Sequence, residues 1–297
     1  MRVVVRFRPA LAPMLGVLLA FTAPPAGANE RVAVFSDTSR IASIGGSITE
    51  IVYALGEEGR LVARDSTSYF PQAALKLPDV GYMRALSPEG VLSVNPTGIL
   101  ALHASGPKEA VDVLKKSSVP FIEVPEHYSH EGIVEKIRIV GKALGVDAKA
   151  EKLAVETDKK LTAAEKQTAS IKKRKRILFV LSAQGGKILA AGSDTAGDGI
   201  VKLAGAVNAV EGFSGYKQMS DEAIVTARPD VILSMKNAGP PILGDELFAN
   251  PSIASTPAGA TRKVISMDGG YLLGFGPRTA DAIHDLAVSL YGNQVTD

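Results

Sequence analysis

The residues of this chain that could do chemistry are concentrated in short segments that follow apolar, β-branched runs. These segments carry tyrosine, histidine and hydroxyl side chains, Lys236 and several glycines; they are residues 45–49, 65–70, 103–106, 125–130, 182–186, 235–240 and 268–275. In an open α/β sheet, ligands bind where loops leave the carboxyl ends of the strands. The pattern therefore predicts that these segments line a ligand site.

No catalytic motif stands in these segments. The sequence has no G-x-S-x-G and no H-E-x-x-H, and the triplet Gly-Gly-Lys at 185–187 lacks the remainder of a phosphate loop. Ser47, followed three residues later by Glu50, is typical of a capping box at the start of a helix. We therefore expect this segment to begin a helix and not to bind a nucleotide.

Composition excludes several classes of protein. The apolar fraction of 46% excludes a disordered chain, and a formal net charge of +2 gives no electrostatic basis for binding nucleic acid. Cysteine is absent. Thiol catalysis, cysteine-bound zinc and iron–sulfur clusters are thereby excluded.

The first residues are typical of a secretory signal. Three arginines in the first eight residues precede an apolar stretch at 11–21, and Ala26-Gly27-Ala28 offers the small-x-small pattern of a cleavage site. We predict a signal peptide at residues 1–28 and export across a membrane. Each later run of apolar residues is too short to span a bilayer, so the mature chain is not expected to be embedded in the membrane.

The remaining sequence alternates β-branched runs with helical stretches, which predicts an α/β fold with two lobes built on mostly parallel central sheets. The lobes are predicted at residues 29–146 and 172–297. Residues 147–171 contain neither Gly nor Pro and are predicted to form one interlobe helix, roughly 37 Å long. The stretch 255–260 is interpreted as a surface loop.

Four runs resemble the haem-binding subunits of bacterial haem importers, the HmuT/PhuT group of the class III, helix-linked periplasmic binding proteins. They are RIASIGGSITEIVYALG, DSTSYFPQAALKLPDVGYMRALSPEGVLSVNPT, AAGSDTAGDGIVKLAGAVNAV and GYLLGFGPRTADAI. The resemblance implies a monomeric periplasmic protein, not an enzyme, that captures haem between its lobes. It also implies partners, the permease and ATPase subunits of an inner-membrane ABC importer.

The resemblance implies that Tyr69, in the Ser-Tyr-x-Pro element, is the axial ligand of the haem iron. Ferric iron favours an anionic oxygen, so a phenolate suits it. Lys236 is matched to a second-lobe arginine that contacts this tyrosine in relatives, and a plain surface role is an equal alternative. Tyr82 and Arg84 are placed to meet the macrocycle edge or a propionate, although Arg84 could equally form a structural ion pair.

Some relatives add a second-lobe histidine as a sixth ligand. The matching loop at 182–186 has none, so we expect five-coordinate iron. His103, His127 and His130 are the alternative ligands, each more consistent with a loop histidine, and His284 falls in a predicted helix.

Members of the wider class dock on their transporter through one acidic residue on each lobe. The resemblance assigns these roles to Glu50 and Asp198. Both residues stand early in predicted helices, where a carboxylate also favours the helix dipole. Capping is therefore the alternative function of each.

Three other readings of the sequence remain open. A ferric siderophore or a cobalamin could be the cargo, although the second-lobe loops are poor in arginine. A zinc or manganese carrier needs a cage of ligands that four scattered histidines do not suggest. A haem-degrading or hydrolytic enzyme is the alternative of another class.

Overall fold

The computed structural model describes residues 34–236 and 244–295, together with Met1, Val3 and Ile242. The predicted signal peptide, apart from Met1 and Val3, lies outside the described residues. Within the described residues, no helix combines the length and the apolar character that crossing a bilayer requires.

The first lobe is built on a four-stranded, wholly parallel sheet with the strand order β2-β1-β3-β4. Strands β1 and β3 are buried along their whole length, as expected for parallel strands in the centre of an α/β sheet. The elements are β1 (Ile41–Ile44), α1 (Gly46–Ala54), β2 (Leu61–Arg64), α2 (Pro88–Leu92), β3 (Gly98–Leu102), α3 (Lys108–Lys116), β4 (Phe121–Val124), α4 (His130–Ala143) and the following α5 (Asp147–Lys166).

The second lobe has a six-stranded sheet in which β10, β9, β5 and β7 run parallel, while β6 and β8 add an antiparallel edge. The elements are β5 (Arg176–Ser182), β6 (Leu189–Ala191), α6 (Ala196–Leu203), β7 (Val207–Asn208), β8 (Tyr216–Gln218), α7 (Asp221–Ala227), β9 (Val231–Lys236), α8 (Gly244–Ala249), α9 (Pro251–Ala254), α10 (Pro257–Thr261), β10 (Val264–Asp268), α11 (Gly269–Leu273) and α12 (Thr279–Tyr291). The predicted two-lobed α/β fold with mostly parallel sheets is confirmed.

Helix α5 packs against α4 of the first lobe and α12 of the second. It buries a stripe that includes Ala154, Thr157 and Leu161. The helix begins at Asp147, as predicted, but ends at Lys166 instead of residue 171. Beyond this point the backbone tightens into three-residue turns, in which the amide of Thr168 donates to the carbonyl of Glu165.

The stretch 255–260 is not a loop, as the sequence had suggested, but contributes most of α10. Thr256 caps this helix by accepting a hydrogen bond from the amide of Gly259 at 3.1 Å. Pro257 occupies the first helical position, where its missing N–H costs nothing. Local capping therefore outweighs a composition that is typical of turns.

Candidate functional site

The segment that carries Tyr69 leaves the carboxyl end of β2 and is held by a buried carboxylate. Asp65 is fully buried and accepts hydrogen bonds from the amide of Gly45 at 2.9 Å and from the hydroxyls of Thr67 and Ser68, both at 2.6 Å. These bonds fix the Ser-Thr-Ser-Tyr loop against the start of α1. Tyr69 therefore extends from a rigid part of the first lobe.

The hydroxyl of Tyr69 reaches the second lobe. It donates to Asp268 Oδ1 at 2.9 Å and accepts from the amide of Gly270 at 2.5 Å. Asp268 ends β10 and Gly270 lies in α11, so both partners stand at the carboxyl edge of the second sheet. Tyr69 thus lies in the cleft where the strand ends of the two lobes meet.

Burial and the neighbouring carboxylate both keep the Tyr69 phenol protonated. Burial is the main cause, and the hydrogen bond to Asp268 adds to it; together they raise the pKa of Tyr69 to about 12. The amide of Gly270 and the Arg278 guanidinium act in the opposite direction but are weaker. Tyr69 is therefore a neutral phenol at neutral pH.

A second contact across the cleft joins Glu50 of α1 to Arg278, which precedes α12. Arg278 Nε donates to Glu50 Oε2 at 2.9 Å, and Arg278 Nη2 forms an ion pair with the same oxygen at 2.8 Å. The backbone amide of Arg278 donates to Glu50 Oε1 at 3.1 Å. The same guanidinium lies 3.4 Å from the centre of the Phe70 ring. Arg278 is thus linked both to α1 and to the neighbour of Tyr69.

The capping-box interpretation of residues 47–50 is wrong. Helix α1 starts at Gly46, with Gly45 as its N-cap residue, and no side chain caps it. The Gly46 amide instead donates to the hydroxyl of Thr67 at 3.1 Å. Glu50 is 8% exposed because its carboxylate is used by Arg278.

Lys236 is the last residue of β9, and its register partner in β10 is Asp268. The backbone therefore places it beside the residue that holds the Tyr69 hydroxyl. Its side chain is exposed. The structure brings Lys236 into the same strand-end edge as Asp268, and its role toward a ligand stays a prediction.

Tyr82 and Arg84 pair with each other on the first-lobe side of the cleft. Arg84 Nη1 donates to the Tyr82 hydroxyl at 2.9 Å, and both side chains are exposed. Arg84 also interacts electrostatically with Glu126 and Tyr128, which follow β4. The structure thus groups Arg84 with the loop at 125–130.

A buried ammonium group lies behind this loop. The Lys136 side chain is fully buried in α4, and its Nζ lies 3.7 Å from Glu126 Oε1 and 3.3 Å from the Ser47 hydroxyl. Burial is the main cause that lowers the pKa of Lys136. The pair ties α4 to the segment after β4.

The histidines have structural partners or lie at the surface. His130 bonds Asp158 at 2.9 Å and Glu165 at 3.0 Å and so joins α4 to α5; His284 bonds Gln167 at 2.8 Å. His103 pairs with Glu123, and His127 is exposed. Among the described residues, no three His, Cys, Asp or Glu side chains are grouped as a metal cage.

Asp198 lies in the first turn of α6 and is 5% exposed. Its carboxylate pairs with Lys202 at 2.6 Å and accepts from Asn208 Nδ2 at 3.0 Å. With Phe213, these residues line a surface cavity of about 670 Å³ in the second lobe. The docking roles assigned to Asp198 and Glu50 stay predictions, since both carboxylates are paired within the chain.

Sequence reasoning missed the second-lobe partners Asp268, Gly270 and Arg278. Asp268 and Gly270 stand directly after a predicted strand, in a segment that was expected to line the site. The Asp-Gly-Gly sequence is the cue that could have identified them, because glycine permits a close approach of the backbone. A methyl group at Gly270 would lie 2.5 Å from the Tyr69 hydroxyl.

The fold matches known proteins. The model of the periplasmic binding protein family matches residues 41–271. The chain belongs to this family. A solved structure of the periplasmic haem-binding protein BhuT in complex with two haems is 37% identical, covers 86% of this chain and 99% of that chain, and superimposes with a TM-score of 0.79.

Two curated relatives are more distant. The uncharacterized ABC transporter substrate-binding lipoprotein YvrC of Bacillus subtilis (strain 168) is 26% identical, over 89% of this chain and 83% of its own length. The vitamin B12-binding protein of Vibrio parahaemolyticus serotype O3:K6 is 25% identical, over 82% of this chain and 86% of its own length. The chain is thus a binding protein and not an enzyme.

Proposed function

We propose that this chain captures haem in the cleft between its lobes and delivers it through the periplasm to an ABC importer of the inner membrane. The observation that carries the proposal is the position of Tyr69. Its hydroxyl extends from a rigid first-lobe loop to the second-lobe strand ends, 2.9 Å from Asp268. The similarity to BhuT, a haem-binding protein at 37% identity, supports the same cargo.

The phenol oxygen of Tyr69 is suited to bind a cargo that contains ferric iron. The pKa of Tyr69 is about 12, so the phenolate does not form unaided at neutral pH. Bound ferric iron would supply the charge that stabilises a phenolate oxygen. Tyr69 is therefore expected to select a cargo that carries a Lewis-acidic metal.

Cationic groups surround this position and suit an anionic macrocycle. Arg278 lies above the Phe70 ring, and Lys236 lies beside Asp268 on the adjacent strand. On the first-lobe side, Arg84 and Tyr82 are exposed. These four side chains are proposed to contact the phenolate, the macrocycle or its propionates, with iron five-coordinate through Tyr69.

A titration of the signal-free protein with haemin tests the proposal. Wild-type protein is expected to develop a Soret band and a charge-transfer band of phenolate ligation. Tyr69→Phe removes only the ligating oxygen and should weaken haemin binding by more than the roughly 10–100-fold cost of losing an outer-shell partner.

Tyr53→Phe, in α1, is the matched control and should bind as the wild type does. A wild-type protein that stays colourless with haemin would refute the cargo. A Tyr69→Phe protein with an unchanged spectrum would refute the ligand.

Cobalamin is the second candidate, because a relative with 25% identity is named as a vitamin B12-binding protein. The same protein should therefore be titrated with cyanocobalamin under matched conditions. Haemin is expected to bind far more tightly, because both axial positions of the cobalt in cyanocobalamin are already filled and leave none for the Tyr69 oxygen. Tight cobalamin binding that survives Tyr69→Phe would favour the alternative.

A further inference from the structure

The Tyr69 hydroxyl is engaged by the opposite lobe. Its proton is donated to Asp268 Oδ1 at 2.9 Å, and its oxygen accepts the Gly270 amide at 2.5 Å. A hydrogen bond to a charged carboxylate is among the stronger ones in proteins. The oxygen that would bind a metal thus has two competing partners, both from the second lobe.

The same contact leaves no space for a ligand at the phenol oxygen. A methyl group added to Gly270 would lie 2.5 Å from the hydroxyl oxygen and 2.8 Å from the adjoining ring carbon. The backbone of α11 therefore lies directly against the end of the Tyr69 side chain. A macrocycle whose metal binds this oxygen must separate Tyr69 from Asp268 and Gly270.

We propose that Asp268 is a positioning residue that holds Tyr69 in a contact across the cleft, which a cargo must break to bind. The inference rests on the proposed function of Tyr69. A metalloporphyrin replaces the lost hydrogen bonds by a bond between its metal and the phenolate oxygen, and the phenol proton is released to water. A metal-free porphyrin must open the same contact but gains nothing at that oxygen, so the affinity for either cargo should rise when the contact is lost.

The contact between Tyr69 and Asp268 shifts the population away from the open state, which is the state competent to bind cargo. When the competent state is a minor fraction, the apparent dissociation constant is the intrinsic value divided by that fraction. Loss of the contact raises the fraction and so raises the association rate. The dissociation rate stays unchanged, because the contact is absent once the cargo is bound.

The variants must spare a second role of Asp268, which caps α11 by accepting from the amide of Tyr271 at 3.0 Å. Asp268→Asn keeps this acceptor and removes the charge. Asp268→Ser also keeps a capping oxygen but has a side chain one bond shorter. Both residues are favourable N-caps, so α11 is expected to persist in both variants.

The matched control is Asp285→Asn. Asp285 also accepts a tyrosine hydroxyl, that of Tyr271, at 2.9 Å. This pair lies within the second lobe and does not cross the cleft. Removing its charge tests whether any tyrosine–aspartate bond has the same effect.

Haemin association and dissociation should be followed by stopped-flow absorbance, and metal-free protoporphyrin binding by its fluorescence. Asp268→Ser should associate with haemin about tenfold faster than wild type, with unchanged dissociation. Asp268→Asn should show a smaller increase. Protoporphyrin affinity should rise by a similar factor, while Asp285→Asn matches wild type in every measurement.

X-ray scattering of the ligand-free proteins gives a readout without cargo, and Asp268→Ser should have the larger radius of gyration. An unchanged association rate, an unchanged radius, or faster dissociation in the Asp268 variants would overturn the inference. Those outcomes are separate from failure of the proposed function, in which wild-type protein binds no haemin at all.

Discussion

At the scale of single residues, Lys136 has the least favourable electrostatic environment of the groups described above. Its side chain is fully buried and its partner Glu126 lies 3.7 Å away, beyond a short ion-pair distance. Burial lowers the pKa of Lys136 from 10.5 despite the nearby carboxylates. Desolvation of the ammonium therefore outweighs its attraction to Glu126.

Replacing the pair together should be neutral or stabilising. Lys136→Met with Glu126→Gln is expected to raise the free energy of unfolding by about 0–4 kcal/mol, because no charge is left desolvated. Lys136→Met alone should lower it by about 3 kcal/mol, since Glu126 loses its partner. Urea denaturation at neutral pH measures both, and a double variant less stable than the single one would contradict the argument.

The pH dependence of stability has a definite sign. Since the folded pKa of Lys136 lies below the unfolded value, the unfolded chain binds more protons between the two values. The free energy of unfolding should therefore rise as the pH increases through that interval toward 10.5. This rise should be absent from the double variant, with the exposed Lys152→Met as control.

Among individual residues, those within one motif were predictable and those that meet across the cleft were not. Tyr69 could be identified because Ser-Tyr-x-Pro is contiguous. Asp268 is 199 residues away from it, and no local pattern encodes that distance. The role of Glu50 was wrongly predicted for the same reason. Its spacing from Ser47 fits a helix cap, but its carboxylate binds the charged guanidinium of Arg278, which is distant in the sequence.

At the scale of elements, the contact between α4 and α5 depends on a glycine. A methyl group at Gly141 would lie 2.0 Å from the Cβ of Ala150. The two helices therefore approach closely at this point, and α5 in turn packs on α12. The interlobe helix is thus fixed to both lobes.

Gly141→Ala should destabilise the protein although alanine is the better helix former. Propensity favours alanine by about 1 kcal/mol, whereas overpacking costs about 1–3 kcal/mol, so a net loss of about 1 kcal/mol is expected. Gly90→Ala, in α2, is the control, because the nearest atom to its added methyl group is 3.7 Å away. Chemical denaturation of both variants checks this, and a stabilised Gly141→Ala would disprove the close packing.

Elements that lie on a clear hydrophobic run could be predicted, and the shortest strands could not. The buried strands β1 and β3 and the helices α4 and α12 follow hydrophobic runs that the sequence displays. Strand β6 has three residues and exists because it pairs with β5 and β8, so its stability comes from distant partners. Such strands have too few residues for a period to be recognised.

At the scale of the whole molecule, the pair Glu50–Arg278 connects the lobes at a position that the resemblance assigns to transporter docking. Docking through Glu50 requires an arginine of the permease to take the place of Arg278. Glu50 is 8% exposed, so this exchange would have to open the interlobe pair. Docking and lobe opening would then be coupled.

Glu50→Gln tests the docking role. Uptake of haem into vesicles that contain the importer should fall by about tenfold or more, because a charged partner is lost at an interface. Haemin affinity should not fall, because loss of an interlobe pair can only favour the open state that binds cargo. The exposed Glu58→Gln should be neutral in both measurements. Normal uptake together with a lowered melting temperature would show that Glu50 only ties the lobes.

The strands of the first sheet all precede those of the second sheet in the sequence, so the two lobes can fold one after the other during synthesis. All four strands of the first sheet lie between residues 41 and 124, and no strand from the other half is inserted among them. A chain that emerges from a translocation channel can therefore complete this half while the rest is still in transit. Helix α5 makes part of its packing with α12, so that part of its surface is covered only after α12 has emerged. The half-emerged chain exposes it, and a folding helper on the far side of the membrane would have this part of α5 as its target.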